Sequence, residues 1–270
     1  MKQWYLWQNE FSWNRMNEAY MEVELHSESK NRPVVLIVPG GGYVQISESE
    51  TNNIGKFFFD LGFHTAILHY TVNPTYSSPL YTKPMEELSR AIRLIRKKAK
   101  EWYCLEDSII VCGFSAGAHL AATEAVHVHD FWEKDTELAV YSNCPDYLIL
   151  SYPVITAKRD THVLSRRALL GEYPSEKMLE YMSVERWVDN SFPPSFIWHS
   201  AADQEVSVNN SFLLGQACQK AGVSYALHIF SKGDHGEHSI SGEKGNNPEI
   251  DNVEEILKSW LLQMRRDWFL

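Results

Sequence analysis

Gly113-Phe114-Ser115-Ala116-Gly117 is the stretch that decides the fold of this chain of 270 residues. It matches the pattern G-x-S-x-G, in which a serine occupies a sharp turn between a strand and a helix. The apolar run 108–112 predicts a buried strand before it, and the helix formers of 116–126 predict a helix after it. Glycines two positions before and after Ser115 let strand and helix pass closely. We therefore predict that Ser115 is a nucleophile; an ordinary turn serine is the alternative.

Composition bounds the class of protein. Hydrophobic residues make up 44% and charged residues 22% of the chain, which suits a globular protein with a single α/β domain over 1–270. The net charge of −10 argues against nucleic acid or an anionic membrane as a partner, because both repel an acidic surface. No apolar run is long enough to cross a bilayer, and the N-terminus lacks the pattern of a signal peptide.

No cluster of cysteine or histidine residues indicates a disulfide framework or a metal site. Cys104, Cys112, Cys144 and Cys218 are widely spaced and form no C-x-x-C pattern, so we expect reduced thiols in a cytoplasmic protein. The run His127-Val128-His129-Asp130 contains metal-binding residue types, but no second ligand cluster stands at a recognisable spacing. We expect it to be a surface run at the end of a helix, and we predict no metal.

Apolar strands alternate with helical segments along the chain. Strands are predicted at 21–25, 34–38, 65–70, 108–112, 146–152, 195–200 and 225–230. Helices are predicted at 47–61, 85–100, 116–126, 207–221 and about 252–268, with a helical stretch around 175–182. This alternation is typical of an α/β fold, in which a mainly parallel central sheet is covered by helices on both faces.

A second unusual stretch, Pro39-Gly40-Gly41-Gly42-Tyr43, follows the predicted strand 34–38. Three consecutive glycines carry an entropic cost that a plain loop does not require. They would let backbone N–H groups approach an oxyanion without interference from side chains. The stretch therefore favours an oxyanion-binding loop ahead of the nucleophile.

Residues 154–194 show no strand pattern, although predicted strands lie on either side of them. An insertion at this position would lie over the carboxyl ends of the strands, where sites form in open α/β sheets. It is either a small cap that shapes a substrate pocket or a plain connector.

Residues 1–20 are rich in aromatic side chains. These are Trp4, Tyr5, Trp7, Phe11, Trp13 and Tyr20. We expect them to pack on the domain, since large aromatic residues are mostly buried. A sugar-stacking rim or a contact between two copies in a homodimer is the alternative.

The order of three residues along the chain adds to the pattern. Ser115 is followed by Asp203, just past the predicted strand 195–200, and by His235, just past the last predicted strand. Serine, acid and then histidine is the order found in α/β-hydrolases. The chain resembles their acetyl-esterase/lipase branch, the BD-FAE-like or carbohydrate-esterase-like serine hydrolases. The matching residues are 39–43, 113–121, Pro193-Pro194, Asp203 with Val206, and His235-Gly236.

The resemblance implies an α/β-hydrolase fold and a serine esterase that needs no cofactor. Ser115 would attack an ester carbonyl and form an acyl-enzyme, with His235 as general base. Asp203 would orient the histidine and stabilise its charged form.

The resemblance also implies an oxyanion hole made by the N–H groups of Gly41, Gly42 and Ala116. The expected substrate is a small-molecule ester of a short, acetyl-type acid, with acetylated sugars as one candidate class. Tyr43 directly follows the oxyanion glycines, and we expect it to wall a short acyl pocket together with Tyr173, Tyr181 and Trp187 of the segment 154–194. The family often has glycine where this chain has Ala118, and a second acid and a proline near Asp203; these departures leave the substrate open.

Alternatives remain for two residues and for the function. Glu205 is the near rival of Asp203 as the acid, and Asp146 is weaker because it precedes its strand. His238 is the rival of His235, although Gly236 beside His235 favours the latter. A peptidase would use the same residue types but usually needs a gating domain for which 270 residues leave no room. A non-catalytic binding module would lack one of the three residues, and all are present.

Overall fold

One sheet runs through the computed structural model, which describes residues 1–7, 19–237, 240 and 250–269, without the side chains of residues 251, 267 and 269. Its eight strands are β1 (Lys2–Tyr5), β2 (Tyr20–Glu24), β3 (Arg32–Val38), β4 (His64–His69), β5 (Cys104–Phe114), β6 (Tyr147–Ser151), β7 (Ser195–Ser200) and β8 (Tyr225–Phe230). Across the sheet their order is β1-β2-β4-β3-β5-β6-β7-β8. The strands from β4 to β8 in this order are parallel, whereas β1 and β2 are antiparallel additions at one edge. The predicted mainly parallel sheet is confirmed.

Helices cover both faces of this sheet. In the described part of the chain the α-helices are α1 (Asn52–Asp60), α2 (Lys83–Trp102), α3 (Ala116–Val126), α4 (Thr136–Ala139), α5 (Val163–Leu170), α6 (Glu176–Tyr181), α7 (Asn209–Ala221) and α8 (Val253–Met264). Short 3-10 turns are found at Glu48–Glu50, Val184–Arg186, Ile250–Asn252 and Arg266–Phe269. None of the described helices is long and apolar enough to span a lipid bilayer.

The apolar run of β3 divides between two cores because neighbouring side chains on a strand point to opposite faces. Val34, Leu36 and Val38 belong to the core that contains side chains of α2 and α3. Val35 and Ile37 belong to the core that contains side chains of α1 and α8. Burial on both faces explains why the strand is apolar throughout and not alternating. Parallel pairing brings the carboxyl ends of β3, β5, β7 and β8 to one edge of the sheet.

The predicted helix 47–61 is wrong at its start. Residues Glu48–Glu50 form a separate 3-10 turn, and the chain changes direction at Thr51, where φ is −112° and ψ is −95°. The side chain of Glu50 is turned inward and buried, so it serves the interior and not a regular helix. The short helices α4 and α5 and the edge strand β1 are not among the predicted elements.

The segment 154–194 contains α5, α6 and a 3-10 turn and has no strand, as its sequence predicts. Hydrogen bonds hold it to the body: Asn210 Oδ1 accepts from the N–H groups of Ile155 and Thr156 at 2.8 Å and 3.1 Å. Its role as a cap stays a prediction. In the N-terminal arm, Trp4 meets Trp102 edge to face at 5.1 Å and Tyr20 stacks on His69, which is packing. Phe11 and Trp13 lie outside the described residues.

Candidate active site

Ser115 occupies the turn between β5 and α3 with φ 50° and ψ −115°. Non-glycine residues seldom adopt a positive φ, so the backbone is strained here. A Cβ at Gly117 would lie 2.1 Å from the carbonyl oxygen of Val38, and one at Gly113 would lie 2.6 Å from Cα of Ala118. Both positions therefore require glycine, and this close approach is the physical reason for the G-x-S-x-G spacing.

The structure brings the three predicted residues Ser115, His235 and Asp203 together. Oγ of Ser115 lies 2.8 Å from Nε2 of His235, and Nδ1 of the same ring lies 2.6 Å from Oδ2 of Asp203. The serine and the histidine are 120 positions apart in the sequence, and the parallel sheet brings them to one edge. Ser115 is only 6% exposed, so its hydroxyl lies in a largely dry environment. The arrangement can move a proton from the hydroxyl to the imidazole while the carboxylate holds the ring.

Asp203 lies in the turn after β7 with both carboxylate oxygens hydrogen-bonded. Oδ1 accepts from the backbone N–H groups of Glu205 and Val206, each at 2.9 Å. Oδ2 accepts from His235 and from His199. Burial alone would raise the pKa of this carboxyl, but the hydrogen bonds from the two histidines and the N–H of Val206 hold the pKa well below its ordinary value. The group is therefore ionised at any working pH.

His199 is a residue of this site that is not among the predicted ones. It is fully buried in β7, and its Nε2 lies 3.1 Å from Oδ2 of Asp203 and 3.0 Å from the carbonyl oxygen of Val206. Two acceptors at Nε2 place the proton there, so Nδ1 accepts the hydrogen bond from Ser211 Oγ at 2.8 Å. The sequence signal for His199 is its place directly after the apolar run 196–198 of this strand, four positions before the acid.

Neither alternative acid, Glu205 or Asp146, has its carboxylate hydrogen-bonded to His235 among the described residues. Glu205 is exposed, and its backbone N–H, not its carboxylate, contacts Asp203. Asp146 precedes β6 and accepts from Arg96 Nη2 at 3.1 Å and from the N–H of Ile109 at 2.8 Å, which is a structural ion pair. His238 lies outside the described residues, so its rivalry with His235 stays a matter for experiment.

The glycine loop after β3 has an unusual backbone. Gly41 has φ 110° and Gly42 has φ 65°, and a Cβ at Gly41 would lie 2.2 Å from the carbonyl oxygen of Gln45. Within the described residues, the N–H groups of Gly41, Gly42 and Ala116 donate to no other residue. They therefore remain available as donors, which an oxyanion hole requires. The N–H of Gly40 is already used, by Glu50 Oε2 at 2.6 Å.

Tyr43 is fully buried and anchors the loop to the helix after the serine. Its hydroxyl lies 2.8 Å from Nδ1 of His119 in α3, and Nε2 of that histidine lies 2.9 Å from the carbonyl oxygen of Met182. Burial lowers the pKa of His119 to about 4, so the ring is neutral and its Nδ1 accepts a hydrogen bond from the tyrosine hydroxyl. Tyr43 also lines a cavity of about 10 Å³ together with Val154 and Ser165, among others. A contact between Tyr43 and substrate stays a prediction; the hydroxyl is already used by His119.

His162 is a second site residue that is not among the predicted ones. Its Cε1 lies 3.8 Å from the point where a Cβ on Gly42 would stand, so the ring borders the glycine loop from the segment 154–194. Nδ1 lies 2.7 Å from Oγ of Ser165, which orients the ring. Burial lowers the pKa of His162, and the nearby charge of His235 lowers it further, while Glu205 raises it. The segment 154–194 thus places a neutral imidazole at the rim of the site.

The expected surface run at 127–130 is wrong for His127, which is buried, whereas His129 and Asp130 are exposed. The ring of His127 stacks on Tyr181 at 3.9 Å, and its Nε2 donates to the carbonyl oxygen of Tyr181 at 2.9 Å. Among the described residues, no group of three or more His, Cys, Asp or Glu side chains is arranged to hold a metal ion.

Comparison with known proteins gives a family match. The family model BD-FAE matches residues 21–218, which include Ser115 and Asp203 but end before His235. A crystal structure of an acetyl ester-xyloside bifunctional hydrolase from Caldicellulosiruptor lactoaceticus superposes with a TM-score of 0.86 at 31% identity, covering 97% of this chain and 96% of that one.

Curated relatives are longer proteins. Endo-1,4-beta-xylanase B of Butyrivibrio fibrisolvens is 39% identical over 212 residues, which are 78% of this chain and 33% of that protein. An acetylxylan esterase of Xylanibacter ruminicola is 27% identical over 214 residues, 77% of this chain and 42% of the relative. The chain thus spans about a third to two fifths of the length of these two relatives.

Proposed function

Because the chain belongs to the BD-FAE family of α/β-hydrolases, we propose that it is a carboxylic ester hydrolase that removes acetyl groups from acetylated sugars. The observation that carries the proposal is the 2.8 Å contact between Oγ of Ser115 and Nε2 of His235 at a strained turn. A structural serine would have no need of a strained backbone or of a histidine held by a buried carboxylate. The available N–H groups beside the serine support the same chemistry.

In the proposed mechanism, Nε2 of His235 takes the proton of the Ser115 hydroxyl while Oγ attacks the ester carbonyl. The N–H groups of Gly41, Gly42 and Ala116 stabilise the oxyanion that forms on the carbonyl oxygen. The protonated histidine then gives its proton to the departing alcohol, and the acyl group stays on Oγ. A water molecule, deprotonated by the same histidine, attacks the acyl-enzyme and releases the acid. Asp203 holds the ring and stabilises its positive charge throughout.

We place the acyl group in the cavity beside Tyr43, because Val154 in its lining donates its backbone N–H to the carbonyl oxygen of Ser115 at 3.2 Å. The volume of this cavity, about 10 Å³, is room for roughly one water molecule or one methyl group. An acetyl group presents one methyl beyond the carbonyl carbon, so it matches this space. We therefore propose that Tyr43 and its neighbours limit the acyl chain to short groups, with acetyl preferred over propionyl.

The sugar part of the proposal rests on the relatives. The names of three similar proteins refer to acetylxylan, to xylan or to an acetyl ester and xyloside. For this chain, acetylated xylose-containing sugars are therefore the first substrates to test. His162 at the rim of the site offers a neutral imidazole to a sugar hydroxyl. We also propose the segment 154–194 as the cap on this side of the site.

The test compares the wild type with Ser115→Ala on acetylated xylo-oligosaccharides and on 4-nitrophenyl acetate. Loss of the nucleophile is expected to lower turnover on the order of a million-fold, and to abolish labelling by a fluorophosphonate. Labelling without release of acetate from any ester would favour a peptidase, and peptide substrates would then be assayed. A wild type that neither reacts with the probe nor releases acetate would instead be a binding module.

We also propose a location and an assembly state. All four cysteines are free thiols, which supports a reducing compartment such as the cytoplasm. A homodimer stays a proposal, and light scattering of the purified protein would measure it.

A further inference from the structure

Glu50 is a buried carboxyl that the mechanism above does not use. It ends the 3-10 turn Glu48–Glu50, close after the glycine loop, and is only 6% exposed. A carboxyl group is rarely buried without strong hydrogen-bond partners, because removal from water penalises its charged form. Two of its hydrogen-bond partners connect it with both sides of the active site.

The first partner is the glycine loop itself. Oε2 of Glu50 accepts the backbone N–H of Gly40 at 2.6 Å, a distance typical of a strong, charge-assisted hydrogen bond. Gly40 packs directly on the nucleophile, because a Cβ there would lie 3.0 Å from Cβ of Ser115. On the other side of the loop, the hydroxyl of Tyr70 donates to the carbonyl oxygen of Pro39 at 2.8 Å. The peptide between Pro39 and Gly40 is thus held from both ends, and this sets the direction of the following N–H groups.

The second partner is Tyr152, whose hydroxyl donates to Oε1 of Glu50 at 2.7 Å. The Tyr152 ring meets the His235 ring edge to face, with 4.9 Å between ring centres and an angle of 72°. Tyr152 itself has φ 37°, a strained value for a tyrosine, and its N–H is fixed by the carbonyl oxygen of Trp198 at 2.7 Å. A tyrosine held in this way supports one face of the histidine.

We propose that Glu50 is a positioning residue of the esterase site, whose carboxylate orients the oxyanion loop through Gly40 and supports His235 through Tyr152. The inference rests on the proposed function, because it assigns Glu50 a task only if the site performs acyl transfer. Glu50 touches no reacting atom, so its effect is indirect: it holds two groups that do.

The charge of Glu50 gives this role a signature in pH dependence. Burial raises the pKa of Glu50 above its ordinary value, although its hydrogen bonds from Tyr152, Gly40 and Ser47 and the charge of His235 act in the opposite direction. Both oxygens accept hydrogen bonds, which is the arrangement of a carboxylate. The titratable groups that interact electrostatically with His235 are Asp203, Glu50 and His162. Those that interact with Glu50 are Tyr70, Cys112, Tyr152 and His235. A negative charge at Glu50 favours the protonated histidine that forms during attack.

Two substitutions separate the charge from the hydrogen bonds. In Glu50→Gln, the amide oxygen can still accept from Gly40 and the amide NH₂ can donate to the Tyr152 oxygen, so only the charge is lost. We expect the acid limb of kcat/KM to move to lower pH by about half a unit or more, with turnover reduced roughly tenfold at most. In Glu50→Ala both contacts are lost, and kcat is expected to fall about 10- to 100-fold while KM changes less than about threefold, since the loop loosens without losing a donor.

Glu87→Gln is the matched control. Glu87 is a second buried carboxyl that accepts a backbone N–H and a hydroxyl, both from Thr71, at 2.7 Å and 2.5 Å. Among the described residues it has no hydrogen bond to the glycine loop or to His235, and its charge reaches the loop only through Tyr70. We expect this variant to lose stability and keep the wild-type pH profile. Tyr152→Phe, which keeps the ring on His235 but removes the hydroxyl, is expected to lower kcat less than Glu50→Ala.

All variants are assayed for acetate release from 4-nitrophenyl acetate between about pH 5 and pH 9, with thermal unfolding as the check on folding. If Glu50→Gln is folded and its acid limb and kcat match those of the wild type, the inference is wrong and Glu50 is only structural. The inference is also wrong if Glu87→Gln shifts the acid limb by the same amount as Glu50→Gln. If the wild type hydrolyses no ester, the proposed function fails first, and this failure is distinct because it appears without any substitution. Should Glu50→Ala not fold, Glu50→Gln and Tyr152→Phe still decide.

Discussion

His199 donates to Oδ2 of Asp203 at 3.1 Å, and this is the same oxygen that accepts from His235 at 2.6 Å. Because His199 is fully buried in a strand, it fixes the carboxylate from the side of the core, while backbone N–H groups fix the other oxygen. The acid therefore has no freedom to rotate away from His235. A group that acts by orienting another group needs such support from behind.

This relationship gives the first prediction, for the acid. Asp203→Asn is expected to keep the fold and to lower turnover by roughly four orders of magnitude, because an amide that donates to Nδ1 selects the wrong histidine tautomer. Glu205→Gln is the control, since the Glu205 side chain is exposed and its N–H contact with Asp203 survives the change. Kinetics with 4-nitrophenyl acetate and circular dichroism check both. A large loss of turnover in Glu205→Gln, together with near-normal turnover in Asp203→Asn, would show that the acid is misassigned.

The second prediction concerns the base. His235→Ala is expected to abolish turnover, and His238→Ala to keep it, because Nε2 of His235 lies 2.8 Å from Oγ of Ser115 and already occupies the position of the base. In the wild type, catalytic efficiency is expected to fall on acidification, since the imidazole must be neutral to accept the serine proton. The measurement is the pH profile of kcat/KM for both variants. Activity in His235→Ala with an unchanged acid limb would contradict the assignment.

The sequence predicts the parts of this site that depend on local spacing. Ser115 is marked by glycines that the close approach of strand and helix requires, and the mainly parallel sheet is indicated by continuous apolar runs. Asp203 and His235 are predictable because a parallel sheet brings the carboxyl ends of its strands to one edge. Each of these signals is local in the sequence, and the parallel sheet then brings the three residues together in space.

Glu50 and His119 could not be predicted in the same way. Each is a polar residue inside an apolar or helical pattern, and the sequence does not show which distant group it meets. Glu50 meets Tyr152 across 102 positions, and His119 meets Tyr43 across 76. Such pairs are set by the packing of side chains in three dimensions, which has no periodicity to detect. The break of the predicted helix 47–61 at Thr51 has the same origin, because Glu50 turns inward to a partner.

The third prediction concerns acyl length. If the cavity of about 10 Å³ beside Tyr43 receives the acyl group, 4-nitrophenyl acetate will be hydrolysed with higher kcat/KM than the octanoate. A larger pocket would instead give longer acyl chains the higher kcat/KM, since each buried methylene adds about 0.8 kcal/mol of favourable binding free energy. A preference for octanoate in the wild type would reject the short pocket.

A variant sharpens this test. Leu170 and Met182 line both this cavity and a second, apolar groove of about 180 Å³. Met182→Ala is expected to join the two spaces and to raise activity on butyrate and longer esters relative to acetate. The backbone oxygen of Met182 that accepts from His119 is kept. Val140→Ala, a truncation of a side chain that is 78% exposed, is the control and should leave the acyl preference unchanged.

The fourth prediction concerns stability in acid. Burial lowers the pKa of His119 to about 4, below the value of about 6.5 expected in the unfolded chain. Between these two pH values the unfolded state binds a proton that the folded state does not, so the free energy of unfolding falls as the pH is lowered from about 6.5 toward about 4. The full loss from this group is on the order of 3 kcal/mol. His64, whose pKa burial also lowers to about 4, adds to the loss. Urea unfolding at a series of pH values measures it.

His119→Gln tests whether this histidine causes the effect. Glutamine does not titrate, and its amide can still donate to the carbonyl oxygen of Met182. The variant loses the ring nitrogen that accepts from the Tyr43 hydroxyl, so it should start less stable than the wild type at neutral pH. It should then lose less stability on acidification, because the contribution of His64 remains and that of His119 is gone. The two curves of unfolding free energy against pH are therefore expected to converge as the pH falls toward about 4. Parallel curves would mean that the proton is taken up elsewhere and that the buried Tyr43–His119 pair plays no part in acid sensitivity.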